Sequence, residues 1–298
     1  MDGRVERRGA LLVFASAAVW SFGGAIARYL SVGDSWAVIC WRSLCAAGFL
    51  LGFMLWSDGW AGTRRMVAAM GWAGVGVGLC FATASTCFVV ALGYTTVANI
   101  LLMQAGAPLI AALAGFLLFR EHIALATWLA ILAVIAGVGI MVSDALAGRV
   151  SPVGDGLALL MSFAVAGATV LTRRNAHVRM MPAVLLGCLI AATFGAVMAG
   201  SLRVGAADAA LLFVFGALNL GLGMALFVRG VRLLPAALGA LIGTVEPVLG
   251  PIWVWLVHAE APGQRTLIGG LVVVLALVLH LAWQFRQHDP RGHFPAVD

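Results

Sequence analysis

Ten stretches of this chain are apolar over lengths that suit a membrane-crossing helix, about 20 residues each. They run 9–28, 35–56, 67–91, 96–118, 123–142, 154–172, 182–200, 208–228, 235–257 and 265–285. Nothing else in the sequence restricts the fold as far. In lipid every backbone N–H and C=O must be satisfied within the protein, and for runs of this length that means helices. The connections are short, with no room for a soluble domain and no low-complexity linker. The chain is 63% hydrophobic and 10% charged, whereas a water-soluble domain carries roughly 25% charged residues. The fold class expected is all-α and integral to the membrane. The first run, Gly9 to Ala27, follows Arg7 and Arg8 but exceeds the apolar core of a signal peptide, about 7–15 residues. It reads as a retained first helix.

A passage near the end of the fourth run recurs at the end of the ninth. Residues 107–121 read APLIAALAGFLLFRE and residues 246–260 read EPVLGPIWVWLVHAE. Pro108 matches Pro247, Leu117 matches Leu256 and Glu121 matches Glu260, all at an offset of 139 in a chain of 298. The offset is close to half the length, so the chain reads as two five-helix repeats, 1–148 and 149–286, with a solvated tail at 287–298. Five crossings is an odd number. The second repeat therefore enters the membrane from the opposite side, giving an inverted repeat with a site near the midplane between the halves.

Orientation follows from the basic residues, all 18 of which are arginine. With the N-terminus in the cytoplasm, thirteen arginines fall in inside segments and Arg28, Arg149, Arg203 and Arg265 fall outside, leaving Arg42 within a span. That matches the excess of positive charge in cytoplasmic loops. Both termini are then expected inside. Because the arginines lie in short loops between apolar runs, the net charge of +6 does not make the basic patch of a nucleic-acid binder.

Four stretches carry a family likeness: Trp20-Ser21, the run 91–121, the run 233–260, and Gly269-Gly270. On these the chain resembles the drug/metabolite transporter superfamily, specifically its EamA branch, and within it bacterial amino-acid exporters of the YddG type. The likeness spans essentially the whole chain. It departs in the sixth run, where no tryptophan corresponds to Trp20. The resemblance implies ten helices in two repeats, a bacterial inner-membrane location and transport of a small metabolite, commonly export. It leaves amino acids, nucleobases, sugars, phosphorylated sugars and cationic drugs all open as substrates.

Proline removes a helix hydrogen bond and displaces the carbonyl four residues back. Pro108, Pro247 and Pro251 therefore read as hinges around a substrate path, or as packing features alone. Glu246, near the middle of the ninth run, is the sharpest single position, since an ionisable group at such depth costs about 2.5–3.5 kcal/mol on insertion scales. It lies on one helical stripe with Gly239, Gly243, Gly250 and Trp253. It suits a substrate ammonium, a proton, or a structural hydrogen bond to a freed carbonyl; its counterpart in the first repeat is Ala107. Arg42 suits a substrate carboxylate, a pair with Glu246, or an outward-reaching side chain. The remaining candidate substrate contacts are Ser85, Asn99, Gln104, Ser162, Thr169 and Asn219, with aromatic walls from Trp20, Tyr94 and Trp253. Glu121 and Glu260, one at each side, read as loop anchors.

The five cysteines lie in apolar runs without CxxC spacing. No nucleophile triad, phosphate loop or metal-ligand cluster stands in the sequence, so neither enzyme activity, cofactor nor metal is expected. The partners expected are a small-molecule substrate and the bilayer. A monomer is compatible with the sequence, which does not fix the oligomeric state. The function expected is export of small neutral or zwitterionic metabolites, amino acids foremost, by alternating access. The alternatives are proton-coupled efflux of hydrophobic cations and nucleobase export.

Overall fold

A computed structural model describes residues 3–120, 124–146, 151–175, 178–234 and 236–287. Its elements are helices joined by short turns, with no strand among the described residues. Span one is α1 (Gly3–Ser21) and α2 (Gly23–Tyr29), span two α3 (Ser35–Ala69), span three α4 (Gly71–Ala91). Span four is α5 (Val97–Gln104) and α6 (Ala107–Phe119), span five α7 (Leu125–Leu146), span six α8 (Pro152–Arg174), span seven α9 (Met181–Met198). Span eight is α10 (Ala206–Phe213), a π-helical segment (Val214–Leu222) and α11 (Gly223–Val231). Span nine is α12 (Ala236–Gly243) and α13 (Val245–His258), and span ten α14 (Gln264–Gln287). Among the described residues nine stretches are long and apolar enough to cross a membrane, and α13 is a shorter apolar helix that follows α12 after one residue.

Local chemistry sets the helix starts. Asp34 caps α3 by accepting from the Trp36 N–H, Thr96 caps α5 through Asn99 N–H, and Ser151 caps α8 through Val153 N–H. Each side-chain oxygen takes a donor that has no intrahelical acceptor. Two helices end on left-handed residues, Arg120 after α6 and Ala259 after α13, which stand at the repeat offset of 139 from one another.

The helix bounds correct three expectations. Span one is not one helix but breaks at Phe22. Span two does not end at residue 56; α3 runs on to Ala69 through a kink at Gly59, whose φ of 66° is outside the helical range. Span three accordingly starts at Gly71 and not at 67. Glu121 and the tail beyond Gln287 lie outside the described residues.

The contacts between spans exchange across the two repeats. Span one packs on spans eight and nine as span six packs on spans three and four; span two packs on spans seven and eight as span seven packs on spans two and three. Spans two and seven, four and nine, and five and ten meet directly. Replacing each span by the one five further along maps these contacts onto each other, as a pseudo-twofold axis requires. With five crossings per repeat, that axis lies in the membrane plane. Glycines permit the closest approaches: Gly9 against Gly230, Gly78 against Gly187, and Gly137 against Gly269 bring backbone to within van der Waals contact. Small residues at such crossings are the usual means of packing helices where lipid offers no hydrophobic drive. The main buried cluster takes Ile39, Phe88, Ile100, Met103, Phe215 and Val254 from spans two, three, four, eight and nine.

Candidate functional site

The interrupted spans one, four, eight and nine meet at the centre, together with spans two and three. In span one the Ser21 hydroxyl donates to Ala18 O at 2.6 Å, taking the acceptor that the Phe22 N–H would use in a regular helix. Phe22 N–H turns instead to Val19 O at 3.3 Å. The side-chain amide of Asn219, from the π-helical segment of span eight, donates to the carbonyls of Val19 and Trp20. Ser16 fastens the same pair of spans through Gly223 O at 2.8 Å. Here Asn219 fills a structural role: it adds a donor to the two carbonyls that precede the break. The π segment, which carries a wider turn than an α-helix, turns Phe215, Gly216 and Asn219 into the protein, all buried.

In spans four and nine the break precedes the proline. Residues 105–106 form a turn before α6, and Thr244 one before α13. Pro108 and Pro247 stand in the first turns of these new helices, where a missing N–H costs nothing. They restart helices and do not kink them in mid-course. Pro251 does lie inside α13.

Arg42 is buried, with 6% of its surface accessible. Its Nη1 donates to Ser85 Oγ at 2.8 Å. The guanidinium carbon sits 4.2 Å from the centre of the Phe215 ring and 5.6 Å from that of Phe88. Its Nε has no acceptor, and no described carboxylate pairs with it. It neither reaches outward nor meets Glu246. The aromatic faces offset part of the charge, but a buried cation without an anion is an incomplete arrangement.

Glu246 stands in the first turn of α13, partly accessible, and makes no hydrogen bond or ion pair with a described residue. One turn on, a Cβ at Gly250 would meet Leu101 and come within 3.5 Å of Ser21 O. Two turns on, Trp253 donates from Nε1 to Ser21 Oγ at 3.0 Å and stacks on Phe22 with ring centres 4.8 Å apart. Of the stripe read from the sequence, Gly250 and Trp253 face the break in span one, whereas Gly239 meets Val231 and Gly243 has nothing near its Cβ position. Trp20 lies close by with a buried indole N–H that has no acceptor, its ring 5.4 Å from Phe227. Gln104, at the break in span four, has a buried Oε1 without a donor.

Other candidates lie elsewhere. Tyr94 is in the turn before α5 and 50% exposed. Thr169 is exposed on α8 and returns its hydroxyl to Val165 O. Neither joins the cluster. Ser162 is buried but donates to Ala158 O of its own helix. Asn99 belongs to a polar group at one end of the molecule, donating to Thr95 Oγ1 at 3.0 Å and to Asp155.

That end carries a latch the sequence reading missed. Arg28 donates from Nε to Glu260 Oε2 at 2.8 Å, from Nη1 to Leu92 O at 2.7 Å and from Nη2 to Thr95 O at 3.2 Å. Glu260 Oε1 also accepts from Val97 N–H at 2.8 Å. Glu260 is a loop anchor, and more: it ties spans one, four and nine together. The pair is 232 residues apart in sequence, so no local pattern announces it. Phe215 was hidden in the same way, as one aromatic in an apolar run. The break itself had a signal, a serine two residues ahead of Gly23-Gly24.

Among the described residues no group of His, Cys, Asp and Glu comes together to hold a metal. The five cysteines are free.

A crystal structure with 17% sequence identity superposes with a TM-score of 0.65, covering 94% of this chain and 98% of its own; the likeness is one of fold. Among curated protein sequences none matches this chain. The EamA-like transporter family matches it twice, over residues 7–143 and 152–282, one match to each set of five spans. Together these matches cover nearly all of the described helices, and the chain belongs to the EamA-like transporter family.

Proposed function

We propose that this membrane transporter exports small zwitterionic metabolites, amino acids foremost, by alternating access between its two repeats. The observation that carries the reading is a pair of charges left unmatched among the described residues, Arg42 within α3 and Glu246 in the first turn of α13. Arg42 has no anion and Glu246 has no cation, and the two do not meet. A substrate with both a carboxylate and an ammonium complements them. Trp253, Phe22 and Trp20 line the break in span one and suit an apolar side chain. A phosphorylated substrate would call for several central cations, and Arg42 is the one buried arginine among the described residues. The setting is the bacterial inner membrane, with both termini on the cytoplasmic side. The Arg28–Glu260 latch closes one mouth of the path.

Counterflow of labelled amino acids in proteoliposomes tests this. Arg42→Gln should raise the half-saturating amino-acid concentration about ten- to hundredfold, the worth of a hydrogen bond to a charged group. Arg42→Lys should restore part of it. Uptake of a nucleobase with none of any amino acid would overturn the reading. Efflux of a hydrophobic cation that Arg42→Gln leaves intact and Glu246→Gln abolishes would establish the cation alternative instead, since that substrate needs Glu246 alone.

A further inference from the structure

The α3 helix is 35 residues long, about 52 Å at 1.5 Å per residue, whereas the hydrocarbon core is about 30 Å thick. Its last part must leave the apolar layer. The backbone turns at Gly59, with φ 66° and ψ 177°, a conformation that suits glycine. Beyond the kink the helix is two-faced. Thr63 is buried and Met66 half-buried against the protein, whereas Trp60, Arg64 and Arg65 are exposed. Trp60, Ala61, Arg64, Arg65 and Ala68 together line a surface recess.

The charge in this region is one-sided. Arg64 makes no hydrogen bond or ion pair with a described residue, and Arg65 donates only to Ala61 O of its own helix at 3.3 Å. Asp58, on the same helix, is taken by Arg179 at 2.6 Å and by the Ser57 hydroxyl. A further guanidinium, Arg229, lies over the Phe53 and Trp56 rings, 4.5 and 5.4 Å from their centres. The tryptophans mark the depth. Trp56, Trp60 and Trp72 are 76%, 73% and 90% exposed, and exposed tryptophans at helix ends sit at the headgroup level.

We propose that the recess on the kinked end of α3 binds the headgroup of an anionic phospholipid, with Arg64 and Arg65 holding its phosphate and Trp60 packing on its glycerol and upper acyl chain. Guanidinium is the side chain best matched to phosphate oxygens. An indole beside it, at the border of the apolar layer, gives the site a place for the lipid body that free phosphate would not use. The occupant is therefore the lipid. The site is independent of the transport path, since none of its residues touches Arg42, Glu246 or the break in span one.

The experiment is native mass spectrometry of the full chain, delipidated in detergent and titrated with phosphatidylglycerol or phosphatidylcholine. Phosphatidylglycerol should form a discrete adduct, and phosphatidylcholine should not compete with it. The double variant Arg64→Gln/Arg65→Gln should weaken that adduct about tenfold or more, because each arginine near the surface adds to anionic-lipid affinity. Arg203→Gln, an exposed arginine elsewhere, should leave it unchanged. Retention of the adduct by the double variant, equal loss in Arg203→Gln, or full displacement by millimolar inorganic phosphate would each overturn the proposal. The unfolding midpoint in detergent alone should match the parent for all variants, since these side chains are on the surface.

Discussion

At the scale of single residues, the core is tuned by what glycine leaves out. A Cβ at Gly216 would stand 2.2 Å from the Arg42 carbonyl oxygen, so the π segment approaches α3 only because that atom is missing. Gly216→Ala should cost about 1–3 kcal/mol or more as overpacking, seen as a lower thermal midpoint in detergent, and should disturb the Phe215 face over Arg42. Gly48→Ala on the same α3 helix is the contrast. Nothing lies within 4 Å of its Cβ position, so the change should be neutral or raise stability by up to about 1 kcal/mol through helix propensity. Trp20 gives a third case. Its indole N–H is buried with no acceptor among the described residues, which is a cost to the fold. Trp20→Phe should leave the thermal midpoint level or higher, and yet weaken substrate binding in counterflow if that N–H is met by the substrate.

At the scale of elements, the helices divide into continuous and interrupted ones, and the division shows what a sequence exposes. Ten apolar runs were legible because burial in lipid acts on every residue of a run at once. The interruptions in spans four and nine were legible as well, through Pro108 and Pro247, although both prolines begin helices where a mid-helix kink was expected. The break at Phe22 and the π segment at Val214–Leu222 were not. Each is made by a partner far along the chain: Asn219 donates to the carbonyls of span one from 200 residues away. The extension of α3 was missed for another reason, since hydropathy falls at Ser57-Asp58-Gly59 although the helix resumes after one residue. The Arg28–Glu260 latch belongs to this scale too. In a background without the five native cysteines, a cysteine at Ser21 should react faster with a membrane-impermeant maleimide once Glu260→Gln has removed the ion pair. An unchanged labelling rate would take the latch out of the gating step.

At the scale of the whole molecule, the proposed orientation, with both termini on the cytoplasmic side, rests on the arginine-rich connections. Cysteines placed at Ser57 and at Arg203 should be reached by an impermeant reagent from opposite sides of inverted and right-side-out vesicles, with Ser57 reached from the cytoplasmic side. The exchange of contacts between the repeats has one more consequence. If the halves were identical, a state open to one side would turn into a state open to the other by rotation about the axis. The two would have the same free energy and would be equally populated. Whatever is unmatched between the halves must then set the resting balance. The break at Phe22 has no counterpart in the continuous α8, nor the π segment in the continuous α4, nor Glu246 in Ala107. A difference of about 1.4 kcal/mol between the two states tilts their populations tenfold. Restoring regular geometry at these asymmetric places should shift which side an unloaded transporter faces before it touches how well it binds.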